Sequence, residues 1–584
     1  MTAEQTVIAE ENHVKAPWLA FYGVVPAHLD YPDCTMYEAV ERCAEKYPNN
    51  TAYVFMGRKT TYRTMVAEIN LCARALKATG VRPGDKITMA MPNCPQAVIM
   101  FYAINLVGAT ANMIHPLSSE KEIEFYLKES GSIFAVTLDQ FYHKFEAIRQ
   151  NVTLDNIILA SIPDALSKPV RVGYMLTEGR KQAKIPKDAP VLRWNEFLRR
   201  GRGYHWTYRV ERRAGDEAVI LYSGGTTGVT KGIQLTNLNF NALGKQIIAT
   251  NPMFRPGDKM LAVMPMFHGF GLGVSIHSML VSGGCCILVP RFTPDSYAKL
   301  LLKYRCNLIA GVPTLYEALL RLPKMKNADL SCLKGVYSGG DSLSVELKKR
   351  FDQFLFDHHA TIQVREGYGL TECVTASCLT PYHISREGSI GIPFPDTYYK
   401  IVEHGTQNEV PYGTDGEICL AGPTVMMGYL HHPEETAATL QTHADGLTWA
   451  HTGDLGYMDP DGFVYFRQRL KRMIVTSGYN VYPSQMENIL DAHELVQMSC
   501  VIGVPDPLKM QKVKAFVMLK PGVPANEETK DVLMAYIRKN VAKYALPYDI
   551  EFRAELPKTL VGKVAYRVLE EEELKKLSET AQEQ

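Results

Sequence analysis

Between residues 36 and 130 the chain alternates helix-spaced apolar residues with short apolar runs, and the alternation returns over 216–345. Strands joined through helices pair in parallel, so this pattern commits the chain to a largely parallel α/β sheet covered by helices. Residues 64–79 carry apolar side chains at helical spacing and stop at Gly80. Val81-Arg82-Pro83-Gly84-Asp85 is a turn, 86–91 a short strand, and another helix and a strand near 109–114 follow. In the second block 218–222 is a strand feeding a glycine-rich loop. The stretch 385–466 is richer in β signals, with short runs at 417–421 and 462–467, and suggests a barrel-like subdomain. Beyond 468–472 a compact α+β pattern begins: strand 473–477, helix 483–493, strands 499–504 and 512–519, helix 527–541 and strand 550–553. We therefore expect a domain boundary at 468–472, between a large domain (35–467) that follows an N-terminal extension (1–34) and a small domain (473–584). Residues 570–584 read as a charged helix or a frayed tail.

The net charge of +1 gives no global attraction to nucleic acid. One stretch departs from that balance: residues 161–213 hold thirteen Lys or Arg against five Asp or Glu. It is either a solvated face or a surface that attracts anionic lipid headgroups or other phosphates. The twelve cysteines include no C-x-x-C pair, which argues against zinc and redox dithiols and suits a reducing cytoplasm. Residues 97–114 and 270–290 are apolar, but Asn105 and Asn112 interrupt the first and His277 the second. Both read as buried helix-and-strand units rather than membrane spans. The sequence leaves monomer and homodimer equally open.

Residues 222–232 read Tyr-Ser-Gly-Gly-Thr-Thr-Gly-Val-Thr-Lys-Gly. Glycines admit close backbone approach, successive N–H groups form an anion-binding nest, and Lys231 adds a cation. The loop is not of the Walker type, because Lys231 is followed by Gly232. Further motifs follow in order: Met-Pro-Met-Phe-His-Gly-Phe-Gly at 264–271, Glu-Gly-Tyr-Gly-Leu-Thr-Glu at 366–372, and Trp-Ala-His-Thr-Gly-Asp at 449–454. Arg-Leu-Lys-Arg-Met-Ile-Val-Thr-Ser-Gly occupies 469–478 and Leu-Pro-Lys-Thr-Leu-Val-Gly-Lys 556–563.

Together these motifs resemble the adenylate-forming (AMP-binding) superfamily, in its acyl-CoA synthetase branch, from about residue 35 to about 570. The resemblance is strongest to bacterial medium- and long-chain fatty acyl-CoA ligases, which also use Gly-Gly-Thr-Thr-Gly. It implies a large domain and a small mobile one, with ATP, Mg²⁺ and coenzyme A as the co-substrates and cofactor. By resemblance Ser223, Gly224, Gly225, Thr226, Thr227, Gly228 and Lys231 wrap the β- and γ-phosphates. Gly339, Gly340 and Asp341, with Gly367, Tyr368 and Gly369, line the adenine and acyl pocket. Thr371 lies at the α-phosphate and Glu372 holds magnesium. Asp454 takes the ribose hydroxyls with Arg469 as companion, and Lys563 bridges the attacking carboxylate and the α-phosphate. His268 stands at the mouth between adenylate and acyl tunnel. Lys471 is the hinge, and Ser477, Gly478 and Tyr479 reach the pantetheine tunnel after rotation. Three positions depart from the commoner pattern: Gly224 replaces Ser, Thr230 replaces Pro, and Arg472 replaces Asp, so that Lys471 and Arg472 are expected to repel. No acid follows Phe267 in the 264–271 motif, where amino-acid-activating relatives place one, and 270–284 is apolar. The substrate expected is a medium- to long-chain fatty acid, the alternatives being an aryl or alicyclic acid, or a non-catalytic acyl or nucleotide sensor.

Overall fold

The structure, a computed structural model, describes residues 14–177, 185–186, 188–222, 230–476, 479–506, 509–559 and 563–582. Helix starts are set by short polar residues ahead of apolar faces. Thr35 forms a capping box with Glu38 at the helix Met36–Lys46, and Thr236 does the same with Asn239 at Asn237–Ala249. The helix Pro95–Leu106 is buried along its whole length. Its Asn105 is satisfied there: it donates to Asn237 and accepts from the Tyr37 N–H. The apolar stretch that raised the question of a membrane span is thus a core helix, and among the described residues no helix is long and apolar enough to cross a membrane.

Two large sheets organise the N-terminal part. The eight-stranded sheet runs in the order Gly428–Tyr429, Gly232–Thr236, Glu217–Tyr222, Thr110–Met113, Lys86–Ala90, Phe134–Leu138, Asn156–Ala160, Leu192–Arg193. Its last six strands pair in parallel, as the helix–strand alternation requires. The nine-stranded sheet is parallel from Val364–Tyr368 through Gly335–Ser338, Leu308–Gly311, Lys259–Ala262 and Cys285–Leu288 to Thr51–Phe55, with antiparallel strands at both edges. Cys285 and Cys286 lie in its core. A five-stranded antiparallel sheet, built from Tyr398–Val402, Gly416–Ala421, Leu440–Thr442, Thr448–Met458 and Val464–Arg469, covers a third core. Residues 17–31 pack into that core through Trp18 and Tyr22. Asp396 fastens them by accepting from the Leu29 N–H and Tyr31 Oη and by pairing with His28.

From Ile474 onward a separate core forms around the sheet Tyr479–Val481, Ile474–Thr476, Met510–Leu519, Val496–Asp506, with Asp549–Phe552 beside it. The C-terminal residues form a helix, Tyr566–Gln582, that buries Leu569 against this sheet. Lys514 fixes it in place, 2.8 Å from both Glu551 and Glu573.

Candidate active site

The strand Glu217–Tyr222 aims its C-terminal end at the glycine-rich segment. Ser223, Gly224, Gly225, Thr226, Thr227 and Gly228 lie outside the described residues. Lys231, on the far side of that segment, sits 3.4 Å from Glu435 and 4.9 Å over the ring of Tyr429. Tyr429 is brought there by the pairing of Gly428–Tyr429 with Ile233 and Gln234, and its hydroxyl donates to Glu372 at 2.9 Å. One tyrosine therefore links the expected phosphate lysine to the expected magnesium carboxylate.

Thr371 and Glu372 open a single helical turn, Thr371–Cys373, after the strand Val364–Tyr368. The turn closes when the Val374 N–H donates to the Thr371 carbonyl at 3.0 Å, and it leaves Val374 at φ 65° and Thr375 at φ 142°. β-branched residues rarely adopt such angles, so backbone strain is held beside the site. The strained carbonyl of Val374 faces the backbone of Gly269, where a Cβ would lie only 1.6 Å from it. Glycine at 269 is thus what lets the His268 segment touch this turn.

Tyr368 Oη donates to Asp454 Oδ2 at 2.7 Å, and its ring lies 5.9 Å from that of Phe466. Asp454 stands opposite Arg469 across the antiparallel pair Thr448–Met458 and Val464–Arg469, with Arg469 Nε 3.4 Å from Asp454 Oδ1. That buried oxygen accepts no hydrogen bond among the described residues. Burial pushes the Asp454 carboxyl up to about 6, against the lowering by Arg469 and by the Tyr368 hydroxyl. A buried acceptor in this state suits a ribose hydroxyl.

Asp454 is held by the turn before it. The Gly453 N–H donates to Glu417 Oε1 at 2.9 Å, and Gly453 takes the left-handed φ of 68°. Thr452 Oγ1 donates to the Ile418 carbonyl and accepts from the Asp454 N–H. Behind Glu417 stand two histidines, His451 Nδ1 at 3.2 Å from Oε2 and His443 Nε2 at 2.9 Å from His451 Nε2. Burial, with Lys400 and His451 beside it, holds His443 at about 4 and so neutral.

Lys563 arrives from the C-terminal unit. Its Cε and Nζ lie 3.4 and 3.8 Å from where a Cβ of Gly340 would stand, so the amine rests on the Gly340 backbone. Gly340 has φ 82°, which favours glycine there. Burial lowers the Lys563 pKa; Asp341 and Asp454 oppose this, while Arg469 adds to it. The ammonium also reaches His268: burial and Lys563 together hold that imidazole at about 3. His268 Nδ1 accepts from the Phe270 N–H at 3.1 Å, which leaves Nε2 to carry the proton. Gly339 lies against the carbonyl of Gly367 and the ring of Phe270, and Gly369 against the Thr375 carbonyl.

Lys231, Tyr368, Glu372, Asp454, Arg469 and Lys563 therefore line one region. Lys471, the expected hinge, is exposed on the turn Leu470–Arg472. Tyr479 sits on the surface of the C-terminal unit, its ring stacked 4.5 Å from that of Tyr544, and Ser477 and Gly478 lie outside the described residues. The expected repulsion between Lys471 and Arg472 is answered by pairing. Arg472 bonds Glu487 and the Val501 carbonyl and lies 4.8 Å over Tyr566, so its charge is balanced within the C-terminal unit. Tyr429, Glu435 and His443 belong to no motif in the sequence, while Glu417 is marked only as the start of a short strand and His451 only as a member of the 449–454 motif; strand pairing is what brings them together.

The AMP-binding enzyme family matches residues 40–430, and its C-terminal domain matches residues 485–563. A long-chain-fatty-acid–CoA ligase of Bacillus subtilis (strain 168) is 36% identical over 565 residues, 95% of this chain and 98% of its own length. A protein of the same name from Salmonella typhimurium is 33% identical over 96% of this chain and 98% of its own length. Among solved structures, the anthranilate CoA ligase AuaEII in complex with anthranoyl-AMP has a TM-score of 0.80 at 26% identity, covering 93% of this chain and 97% of its own. ATP-bound MatB from Rhodopseudomonas palustris has a TM-score of 0.79 at 26% identity, over 92% of this chain and 99% of its own. With the fold and motifs matched along nearly the whole chain, the protein belongs to the AMP-binding enzyme family.

Proposed function

We propose that the protein is an ATP-dependent, AMP-forming acid–CoA ligase acting on medium- to long-chain fatty acids. The observation that carries this reading is the position of Lys563, docked over Gly340 with Asp341, Asp454 and Arg469 in electrostatic reach. A carboxylate oxygen of the acid attacks the α-phosphorus of ATP; the bond from that phosphorus to the bridging oxygen breaks and pyrophosphate leaves. Lys563 bridges the attacking oxygen and the α-phosphate, where charge develops in the transition state. Asp454, steadied by Tyr368, accepts the ribose hydroxyls, and Lys231 meets the outer phosphates. Glu372 is suited to hold Mg²⁺. Among the described residues no three acidic, His or Cys side chains cluster as a metal site, so the other ligands would be phosphate oxygens and water. Bound there, the cation would supply charge neutralisation on the phosphates. In the second half-reaction the CoA thiol attacks the acyl carbonyl and AMP leaves, after rotation of the C-terminal unit about 468–472 withdraws Lys563 and presents the Tyr479 loop. The apolar run Phe270–His277, with no acid to hold an amine, supports an aliphatic tail, as do the names of the bacterial relatives.

Two measurements test this. Pyrophosphate release is followed with ATP, Mg²⁺ and a panel of acids from acetate to oleate, with benzoate, 4-coumarate, cholate and amino acids, each with and without CoA. Release confined to medium and long aliphatic acids and accelerated by CoA is expected; preference for an aromatic or alicyclic acid would overturn the substrate class. Lys563→Ala should slow acyl-AMP formation roughly 10²–10³-fold, the cost of removing one transition-state charge partner. It should leave thioester formation from supplied acyl-AMP nearly intact, and equal losses in both halves would sink the role.

A further inference from the structure

Lys231 has two neighbours, and they differ in how firmly they are held. The first is the ring of Tyr429, with the ammonium 4.9 Å over its centre. That residue is fixed at both ends. Its N–H donates to Thr436 Oγ1 at 2.9 Å, and its hydroxyl donates to Glu372 Oε1 at 2.9 Å. The backbone on either side is tied as well: the Met427 N–H donates to the Gln234 carbonyl at 2.9 Å and the Leu430 N–H to the Gly232 carbonyl at 2.8 Å. The attraction of a cation to an aromatic face consumes none of the ammonium's N–H donors in a directed bond. The ring therefore steers Lys231 and leaves its donors for an anion.

The second neighbour is Glu435, whose Oε1 lies 3.4 Å from Lys231 Nζ. A well-formed charge-assisted hydrogen bond is shorter, about 2.7–2.9 Å, and the Glu435 side chain is 43% exposed. The same oxygen lies 3.5 Å from His432 Nδ1, and His432 Nε2 stands 3.5 Å from the buried Oε1 of Glu129. Glu435 is thus loosely paired with Lys231 and keeps His432 beside it when the lysine turns away. Like a phosphate oxygen, an ionised carboxylate offers only acceptors and negative charge. Two such anions against one ammonium repel each other.

We propose that Glu435 competes with the outer phosphates of the nucleotide for Lys231: it yields the ammonium as ATP enters and reclaims it as pyrophosphate leaves. Tyr429 holds the lysine over its ring throughout. Glu435 then weakens the grip of Lys231 on pyrophosphate and hastens its departure. The inference rests on the reading of Lys231 as a phosphate contact and adds to it the group that governs release. The opposite role, in which Glu435 aims Lys231 at the phosphates, is less well served by the geometry. Aim is already supplied by the doubly anchored ring, and a loosely paired, exposed carboxylate is a poor guide. The two roles differ in sign: an aiming residue loses phosphate affinity when removed, and a competitor gains it.

Calorimetric titration of the full chain with inorganic pyrophosphate, in buffer containing Mg²⁺ at low ionic strength, reads this affinity without turnover. Glu435→Gln should bind pyrophosphate about two- to fivefold more tightly than the parent, the range of a partly exposed ion pair, and the gain should shrink as salt is added. Damage to the fold would lower affinity, so a gain separates competition from a merely structural role. Glu434→Gln removes the same charge from the adjacent exposed position and should leave affinity near the parent value. Lys231→Ala should weaken binding about tenfold or more, and adding Glu435→Gln to it should bring no further gain. Weaker or unchanged binding in Glu435→Gln, an equal gain in Glu434→Gln, or a gain that survives the loss of Lys231 would each overturn the competition while leaving Lys231 as a phosphate contact. Parent-like binding in Lys231→Ala would overturn that contact and the competition together.

Discussion

Asp454 is a carboxylate whose usefulness depends on its charge, and its surroundings bring that charge within reach of ordinary pH. Burial pushes its pKa from near 4 to about 6, with Arg469 pulling the other way. Only the ionised form can accept a ribose hydroxyl at both oxygens. Below about pH 6 the group is protonated, so kcat/KM for ATP should fall as pH drops through 6 and level off above it. Replacing Arg469 by Gln removes the opposing cation, which should move this acid limb to higher pH. A limb that stays in place in Arg469→Gln would mean that another group titrates. The same shift carries a sign for stability. The folded chain binds a proton at Asp454 that the unfolded chain has lost between about 4 and 6, so this group's contribution is present at low pH and fades as pH rises through 6. Asp454 and Lys563 were legible in the sequence because each closes a motif. Tyr429 was not: it lies 57 positions from the Glu372 it bonds, and nothing local marks a tyrosine for that task.

Elements place such residues, and the turn ahead of Asp454 is held by one carboxylate. Glu417 accepts the Gly453 N–H on one oxygen and faces His451 with the other, while His443 backs His451. Glu417→Gln keeps the shape but turns an acceptor into a donor facing either that N–H or the imidazole. Hydrogen bonds to charged groups contribute about 1.5–3 kcal/mol, so kcat/KM for ATP should fall roughly tenfold or more while KM for the acid stays near the parent value. A matching rise in KM for the acid would mean that the whole site had shifted. Strand and helix positions were readable to within a few residues wherever period and punctuation agreed, as at Lys86–Ala90 and Glu527–Asn540. The segment after His268 was less so. It forms a wide-turned helix, Phe270–His277, because Gly271 and Gly273 let the backbone lie against Pro265 and Leu243. Apolar period alone does not distinguish that winding from an ordinary helix. The contact of residues 17–31 with Asp396 was equally hidden, since it joins positions more than 360 apart.

At the scale of the whole molecule, the proposed reaction depends on a lysine that the C-terminal unit carries to Gly340. The loop carrying it is anchored at both ends, by the strand Asp549–Phe552 and by the helix that Glu573 ties to Lys514. What draws this unit toward the large one is partly electrostatic. Asp341, on the large domain, is exposed, yet both Lys563 and Arg472 feel its charge across the boundary. An exposed charge of this kind contributes at most about 1 kcal/mol, and salt screens it over roughly 10 Å at 0.1 M. Asp341→Asn should therefore slow acyl-AMP formation by about two- to fivefold at low ionic strength. The difference from the parent should shrink as salt is added, and thioester formation from supplied acyl-AMP should be unaffected, because that step needs the docked arrangement undone. Stopped-flow measurement of the two half-reactions over a salt series decides the matter. A loss that is the same in both halves, or that salt does not touch, would put Asp341 in contact with the reacting groups rather than in the closure of the two units.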